Sequence, residues 1–384
     1  MRFTRLKLKN WRNFVDVDLE LGERLFVTGP NACGKSNLLD AFRFLRDIAK
    51  VGGGLQFATE ERGGIGKMRC LAARKLPGIA LEVELRDGRG TDAPVWTYGI
   101  GLKQEARGKR RHILTHERVS RDGTVLLDRP DAEDERDPLR LTETHLEHVG
   151  TNQDFRPIAE TLRKIHYLHL VPQLLRFPEL VHRDAQPEDP YGIRFLDRIL
   201  ETPERQRTSR LNRIEGALRI AVPELSELHV VRDHRGSPHL EAVYKHWRPN
   251  AGRQREDQFS DGTLRLIALL WTLLDGDGLL LLEEPEISLH SSIVAKLPSL
   301  IWRLQRAKRR QVFISSHSVD LFSDSGIAAE EVALLRPSGT DGAEVRLASQ
   351  RDEIRTLLEA GMNAADAALP TTHPNDLAQL TLFD

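Results

Sequence analysis

The sequence predicts an α/β fold built on a parallel β-sheet, and three stretches of the chain support this prediction. Residues 29–36 (GPNACGKS) satisfy the phosphate-loop pattern G-x-x-x-x-G-K-[ST]. A short strand-like run, 23–28, precedes them, and apolar residues at helical spacing follow from Asn37. Two further runs, 278–282 and 311–314, have the length and apolar character of buried parallel strands, and both are followed by polar residues.

The loop at 29–36 contains the residue types that phosphate binding requires. Gly29 and Gly34 permit a close approach that a Cβ atom would block, so that backbone N–H groups can point at phosphate oxygens. Lys35 would place its ammonium at the β- and γ-phosphates, and the Ser36 hydroxyl would complete the shell of a Mg²⁺ ion. The alternative is a glycine-rich turn with a surface lysine. The predicted nucleotide-binding residues are Gly29, Pro30, Asn31, Ala32, Cys33, Gly34, Lys35, Ser36 and Asn37.

The composition indicates a soluble globular protein. The chain has 384 residues, 40% of them hydrophobic and 29% charged, which suits one large α/β domain with insertions or two domains. No apolar run approaches the ~20 residues that span a bilayer, and the N-terminus lacks the apolar core of a signal peptide. The two cysteines, Cys33 and Cys70, support neither a disulfide framework nor a metal site. We therefore expect a cytoplasmic protein without membrane contact.

Charge is concentrated in patches, since the formal net charge of the whole chain is −1. Basic clusters lie at 109–112 (KRRH), at 245–255 around Trp247, and at 306–310 (RAKRR), and an acidic run lies at 131–137. The basic clusters make contact with DNA plausible. For each of them a solvated face or loop is the alternative.

Alternating apolar and polar residues predict an antiparallel sheet added to the nucleotide core. The alternation is present ahead of the loop and again in short runs after the first helix, at 2–9, 14–21, 79–86, 95–102, 111–119 and 124–127. From about residue 139 to 220 the patterns are mainly helical, interrupted by an apolar run at 165–171. We divide the chain into four segments, namely the N-terminal core with loop and antiparallel sheet (1–138), an inserted helical lobe (139–225), the C-terminal core (226–350) and a tail (351–384).

Two adjacent carboxylates follow the strand 278–282. Glu283 and Glu284 lie at its carboxyl end, where the ligands of parallel sheets collect. Successive side chains of a strand point in opposite directions, so Glu283 can hold Mg²⁺ through water while Glu284 polarises the water that attacks the γ-phosphate. The alternative is that the two glutamates only mark the charged end of a core strand.

A histidine follows the second late strand, in the sequence SSHS. At the end of 311–314, His317 is placed to hydrogen-bond a γ-phosphate and to report its presence. The alternative is a structural histidine.

A helix start between the loop and the carboxylates suggests a second phosphate contact. Ser260 has the position of an N-cap before the helical run 264–274, and Gly262 leaves backbone N–H groups open to an anion. Without the other motifs this would be an ordinary capped helix.

With these motifs the chain resembles the ABC-type ATPases of the SMC/RecF branch, and most closely the stand-alone ATPases related to the overcoming-lysogenization-defect (OLD) family and to anti-phage AAA-family ATPases. The matching pieces are LKLKNWRNF, GPNACGKSN, FSDGT, LLLLEEPEISLH and SSHS, in the order of the family. The resemblance implies an α/β fold, an ABC-type (SMC/RecF-like) P-loop ATPase head with an added antiparallel sheet and an inserted helical lobe.

The resemblance also implies a homodimer with two ATP molecules sandwiched between the protomers. Ser260 and Gly262 of one protomer would face the γ-phosphate held by Lys35 of the other, while Glu284 hydrolyses ATP and His317 senses the γ-phosphate.

Other positions are implied by the same resemblance with alternatives open. Gln173 would be the metal-side glutamine, or a structural one. Arg12 and Asn13 would lie on the phosphate side, and His290 would belong to a dimer-contact loop or be a simple helix cap.

The chain departs from better-known relatives in its motif SDGT and in carrying glutamate, Glu283, as the metal carboxylate. We expect no room for the nuclease domain that many OLD-family ATPases carry, so that a nuclease or other effector would be a separate polypeptide. The expected function is an ATP-hydrolysing dimeric switch that controls such an effector in prokaryotic defence. A RecF-like DNA-repair ATPase is the first alternative, and the nucleotide subunit of a transporter is the second.

Overall fold

The computed structural model describes residues 1–73, 78–88, 90, 92–105, 110–177, 189–245, 252–339 and 342–372. Three features of the sequence lie outside these ranges, namely Lys109 and Trp247 of two basic clusters and residues 373–384 of the tail.

The helices and strands follow one another along the whole described chain. The strands are β1 (Arg2–Trp11), β2 (Phe14–Glu20), β3 (Arg24–Thr28), β4 (Ile79–Arg86), β5 (Val95–Gln104), β6 (His112–Arg121), β7 (Thr124–Arg129), β8 (His166–Leu168), β9 (Leu225–Arg232), β10 (Pro238–Tyr244), β11 (Arg253–Arg255), β12 (Leu280–Glu283), β13 (Val312–Ser315), β14 (Val332–Pro337) and β15 (Ala343–Leu347). The helices are α1 (Lys35–Ala49), α2 (Leu55–Glu60), α3 (Ile65–Met68), α4 (Ala132–Arg136), α5 (Arg156–Arg163), α6 (Pro172–Arg176), α7 (Phe195–Glu201), α8 (Glu204–Ala221), α9 (Asp261–Leu274), α10 (Ser291–Val294), α11 (Leu297–Lys308), α12 (Val319–Phe322), α13 (Asp352–Glu359) and α14 (Ala364–Ala368).

A central, mostly parallel sheet positions the polar motifs. Its strand order is β15-β14-β3-β13-β12-β8, and only β15 runs antiparallel to its neighbour. Every residue of β3 is buried, as expected for a strand covered on both faces. The register places Leu282 opposite Ile314, and Ile314 opposite Phe26. The carboxyl ends of β3, β13 and β12 therefore lie side by side.

The predicted antiparallel sheet is present, with strand order β2-β1-β4-β5-β6-β7. In β4 buried and partly exposed residues alternate strictly, as the period of a strand with one buried face requires. A second antiparallel sheet has the order β11-β10-β9.

Two helices cover opposite faces of the central sheet. On one face α1 lies between the two six-stranded sheets, and the Phe42 ring contacts both Phe3 of β1 and Phe313 of β13 at centroid distances of 5.4 Å. On the other face α9, almost entirely apolar, packs in one core with residues of β12 and β13 such as Leu282 and Ile314. Among the described residues, no helix is long and apolar enough to cross a membrane.

The segment that we assigned to an inserted helical lobe contributes to the central sheet as well. Strand β8 pairs in parallel with β12, opposite Leu280–Leu282. Helices α7 and α8 and the strands β9 to β11 then intervene before the chain returns to α9. The division of the chain at residues 138, 225 and 350 stays a prediction.

A buried ion cluster fastens β7 to the following turn. The Arg129 guanidinium donates to both carboxylate oxygens of Asp134, at 3.0 and 2.8 Å, and to Glu117 at 3.0 Å. Their side chains are at most 1% exposed. Although burial raises it, hydrogen bonds from Arg129 lower the pKa of Asp134 to about 2. The arginine therefore compensates two buried carboxylates.

We predict that Arg129→Met destabilises the protein strongly, by about 3–5 kcal/mol, because it leaves Glu117 and Asp134 buried without their cation. The measurement is urea unfolding followed by circular dichroism. Arg118→Met is the matched control, since Arg118 on neighbouring β6 is 58% exposed and 3.9 Å from its carboxylate partner. Its expected effect is below about 0.5 kcal/mol. Equal effects of the two changes would contradict the prediction.

Candidate nucleotide-binding site

The phosphate loop lies between β3 and α1, and its glycines are sterically required. Gly34 has φ 104°, in the region that glycine favours. A Cβ atom on Gly34 would lie 2.3 Å from the side chain of Asn13, and one on Gly29 would lie 2.5 Å from the carbonyl oxygen of Leu335. The loop backbone therefore packs directly against Asn13 and Leu335, and no larger side chain than hydrogen fits at either glycine.

Lys35 is folded into the loop. Its ammonium donates to the carbonyl oxygens of Gly29 and Pro30 at 3.2 and 3.1 Å, and the residue is 8% exposed. Burial lowers its pKa, while the charges of Glu283 and Glu284 act in the opposite direction. A buried cation whose hydrogen-bond partners are carbonyl oxygens fits an anionic ligand in the loop.

Asn13 supports the loop from the side of the antiparallel sheet. Its amide Nδ2 donates to the carbonyl of Cys33, and its Oδ1 accepts from Asn37 at 3.0 Å. The Trp11 indole N–H donates to the Asn37 carbonyl at 2.8 Å. The opening motif thus holds the loop backbone in place, a role that the sequence did not indicate.

Arg12, in contrast, forms an ion pair with a residue of α1. Its guanidinium donates to Asp40 of α1 at 3.0 Å. Asp40 also accepts from Arg62, and although burial raises it, Arg62, Arg43 and Arg12 hold its pKa below the ordinary value. The structure places Arg12 in this buried ion cluster, because α1 offers it a carboxylate that the sequence pattern did not reveal.

Two of the three residues predicted to hold a metal, Ser36 and Glu283, are in direct contact. The Ser36 hydroxyl donates to Oε1 of Glu283 at 2.5 Å, which joins the start of α1 to the end of β12. A hydroxyl and a carboxylate are oxygen donors of the kind that Mg²⁺ prefers, so the pair fits this ion. Ser36 and Glu283 are the residues that would hold it.

Tyr167 is a member of this site that sequence reasoning missed. Its hydroxyl donates to the other oxygen of Glu283, Oε2, at 2.5 Å. Strand β8 runs beside β12 with Tyr167 opposite Leu281. The signal in the sequence was a phenol within the apolar run 165–171.

Glu284 and His317 lie together at the same edge of the sheet. The backbone of Glu284 has φ 45°, and its N–H donates to the Ser315 carbonyl at 2.9 Å. Its Oε1 is 3.6 Å from Nε2 of His317. Burial, then the charge of Lys35, lowers the pKa of His317, and Glu284 opposes this shift. The imidazole is therefore mainly neutral at neutral pH.

The signature-like segment begins α9 on a well-formed cap. The Thr263 N–H donates to the Ser260 hydroxyl at 3.1 Å. A Cβ atom on Gly262 would lie 2.6 Å from the carbonyl of Ser288, which itself has φ 65°. The segment thus contacts the turn after the carboxylates, and Arg265 of α9 donates to the Glu284 carbonyl at 3.3 Å.

Gln173 hydrogen-bonds to this segment, and not to Ser36 or Glu283 as its predicted metal role would suggest. Its amide donates to Asp261 at 2.9 Å, and Arg176 donates to the same carboxylate at 2.6 Å. Asp261 belongs to the motif SDGT, in which the chain departs from better-known relatives, and its carboxylate accepts from two polar side chains of α6. His290 caps α10, where its Nδ1 accepts from the Ser292 N–H at 3.2 Å.

Most of the chain matches one protein family. Residues 25–324 match the family described as "AAA domain, putative AbiEii toxin, Type IV TA system".

Curated relatives match over short stretches. The chromosome partition protein Smc of Cereibacter sphaeroides (strain ATCC 17029 / ATH 2.4.9) is 50% identical over 62 residues, which are 15% of this chain and 5% of that protein. The endonuclease GajA of Bacillus cereus (strain VD045) is 43% identical over 54 residues, 14% of this chain and 9% of that protein. The chain thus matches less than a tenth of the length of either relative.

Solved structures of Smc heads have the same fold. The Smc head bound to the C-terminal winged-helix domain of ScpA superposes with a TM-score of 0.54 at 13% identity, covering 90% of this chain and 98% of that one. The Smc head with an extended coiled coil, bound to the C-terminal domain of ScpA derived from Pyrococcus furiosus, gives 0.52 at 11% identity, covering 93% and 99%.

The family match decides membership, and the Smc heads identify the fold. The chain belongs to the AAA-domain family of putative AbiEii toxins of type IV toxin–antitoxin systems, and it has the ABC-type P-loop ATPase fold of the SMC/RecF branch, related to OLD-like proteins.

Proposed function

We propose that this chain is a cytoplasmic ATP-binding and ATP-hydrolysing switch, which works as a homodimer and controls a separate effector in prokaryotic anti-phage defence. The observation that carries the proposal is the hydrogen bond between Ser36 of the phosphate loop and Glu283 of β12. This bond brings the two halves of a metal–nucleotide site together, with Lys35, Glu284 and His317 nearby.

The loop residues bind and orient the nucleotide. The backbone N–H groups at 29–36 and the N-terminus of α1 attract the phosphates, and Lys35 exchanges its carbonyl partners for phosphate oxygens. Ser36 and Glu283 would hold Mg²⁺, which when bound would neutralise charge on the phosphates.

Glu284 and His317 act on the water and on the γ-phosphate. The Glu284 carboxylate accepts a proton from the attacking water, with its backbone fixed by the bond to Ser315. A neutral His317, kept so by burial and by Lys35, donates a hydrogen bond to the γ-phosphate and responds to its loss.

A second copy of the chain completes the site. Ser260 is exposed at the start of the 14-residue helix α9, where backbone N–H groups and the helix dipole favour an anion. In the dimer, Ser260 of the partner subunit and Gly262 of the partner subunit face the γ-phosphate. The Smc-like fold supports this arrangement.

The link to defence and to an effector rests on relatives. The description of the matched family names a toxin of toxin–antitoxin systems, and one protein that is similar over a short stretch is named an endonuclease. A nuclease is therefore the first kind of effector to test.

A second candidate function, a RecF-like ATPase that binds DNA in an ATP-dependent way, is favoured by one surface. The basic groove, of about 510 Å³, is lined by Arg205, Arg210 and Arg213 of α8 and by Lys308 of α11, among others. Arg210 pairs with Asp275, while the other three make no ion pair with the residues that the structure describes. Cations without an ion-pair partner among the described residues suit the phosphates of a duplex.

We predict that Lys35→Ala reduces ATP affinity at least about 100-fold, because a buried charge-assisted contact to the phosphates is lost. The measurement is equilibrium binding of a fluorescent ATP analogue with Mg²⁺. Lys9→Ala removes an exposed lysine of β1 and serves as the control, with unchanged affinity expected. Retained binding in Lys35→Ala would contradict the assignment of the loop.

We predict that Glu284→Gln retains ATP and loses turnover by about 10²–10⁴-fold, the range for removal of a general base. The measurement is phosphate release, with bound nucleotide identified after rapid gel filtration. Glu330→Gln changes an exposed glutamate and should turn ATP over normally. Turnover by Glu284→Gln at the wild-type rate would show that another group accepts the proton.

For the second candidate function we predict that the double change Arg205→Glu, Arg213→Glu weakens binding of a DNA duplex at least about tenfold and lowers the salt slope by about 2. The measurement is fluorescence anisotropy across a salt series, with ATP and Mg²⁺. Arg118→Glu with Arg235→Glu reverses two exposed arginines elsewhere and is the control. An equal loss in the control, or a wild-type protein that binds no duplex, would remove this candidate.

A further inference from the structure

Tyr167 is held in one orientation by contacts at both ends of its side chain. Its hydroxyl donates to Oε2 of Glu283 at 2.5 Å, and the Arg43 guanidinium lies over its ring, 4.0 Å from the centroid. The residue is 8% exposed. A buried phenol with a single charged acceptor and a cation on its face has little freedom to rotate.

These contacts connect Glu283 to α1 by two routes, one through Ser36 and one through Tyr167 and Arg43. Ser36 and Arg43 are seven residues apart, which is about two turns of helix, so they lie on the same face of α1. From that face Ser36 reaches Oε1 of Glu283, while Arg43 reaches Tyr167, which in turn holds Oε2. Both oxygens of the carboxylate are therefore oriented from one helix.

The Glu283 side chain is longer than that of aspartate, so its carboxylate depends more on contacts that fix its orientation. Glutamate has one more rotatable bond than aspartate, and its oxygens can bind a metal singly or as a pair. A phenol carries its proton at neutral pH, so Tyr167 is a hydrogen-bond donor to Oε2. One oxygen is occupied by the phenol, and the other faces Ser36.

We propose that Tyr167 is a positioning residue that makes Glu283 present only Oε1 to the metal, and that it thereby selects Mg²⁺ over Ca²⁺. Mg²⁺ demands a compact octahedral shell and takes carboxylates through single oxygens. Ca²⁺ accepts more ligands and often takes both oxygens of one carboxylate. The inference rests on the metal–nucleotide site of the proposed function.

Tyr167→Phe isolates the hydroxyl, because the ring, its burial and the face presented to Arg43 remain. The test is binding of a fluorescent non-hydrolysable ATP analogue, titrated with Mg²⁺, with Ca²⁺, and in EDTA. We expect unchanged affinity in EDTA and a Mg²⁺ requirement raised about tenfold, as for loss of a group that orients a metal ligand. The Ca²⁺ requirement should change by less than about twofold, because the freed Oε2 offers Ca²⁺ the second oxygen.

Tyr98→Phe is the matched control. Tyr98 also donates from a buried phenol to a glutamate, Glu117, at 3.1 Å, but in the antiparallel sheet. This variant should leave both metal requirements unchanged, so that a general effect of removing a buried hydroxyl is separated from an effect on the site.

A double-mutant comparison separates an effect of Tyr167→Phe that acts through Glu283 from a general effect of lowered stability. Glu283→Asp shortens the side chain by one methylene and withdraws it from the phenol, so adding Tyr167→Phe to it should change the Mg²⁺ requirement by less than about twofold. Equal changes in the Mg²⁺ and Ca²⁺ requirements of Tyr167→Phe, or no change in either, would overturn the inference. A wild-type protein that binds no nucleotide would overturn the proposed function, and the inference with it.

Discussion

The parallel register of β3, β13 and β12 is the constraint on which the rest of the site depends. It brings the end of the loop strand, the end of the carboxylate strand and the end of the histidine strand to one edge. The 2.5 Å bond from Ser36 to Glu283 then ties α1 to that edge. A slip of one residue in β12 would turn the carboxylates to the wrong faces, because side chains alternate along a strand.

The supports of the site come from three directions and have different chemistry. The antiparallel sheet holds the loop backbone through Asn13, the buried cluster on Asp40 anchors α1, and β8 contributes the phenol that holds Glu283. The reacting groups themselves are left with weak or replaceable partners: Lys35 has carbonyl oxygens, and Glu284 has a histidine at 3.6 Å. We infer that this division keeps the frame rigid while the charged groups remain free to engage a ligand.

Local patterns in the sequence predicted the loop, the buried strands and the alternating antiparallel strands, because glycine requirements, apolar runs and strand periodicity are properties of neighbouring residues. The sequence patterns did not show which distant carboxylate each polar side chain would pair with. Arg12 donates to Asp40, and Gln173 donates to Asp261. Each carboxylate lies on a helix that is distant in sequence from its partner, so only the fold brings the two side chains together. The contribution of Tyr167 likewise depends on the pairing of β8 with β12. The roles of the remaining site residues stay predictions.

The central claim is that ATP joins two copies of this chain, and its most direct measurement is the mass of particles in solution. Wild-type and Glu284→Gln protein would be weighed by mass photometry with and without ATP and Mg²⁺, with Lys35→Ala as the negative control. The account predicts a particle of twice the 43.5 kDa of one chain that depends on ATP, is most abundant in Glu284→Gln and is absent in Lys35→Ala. Identical masses for all three proteins, with and without ATP, would contradict it.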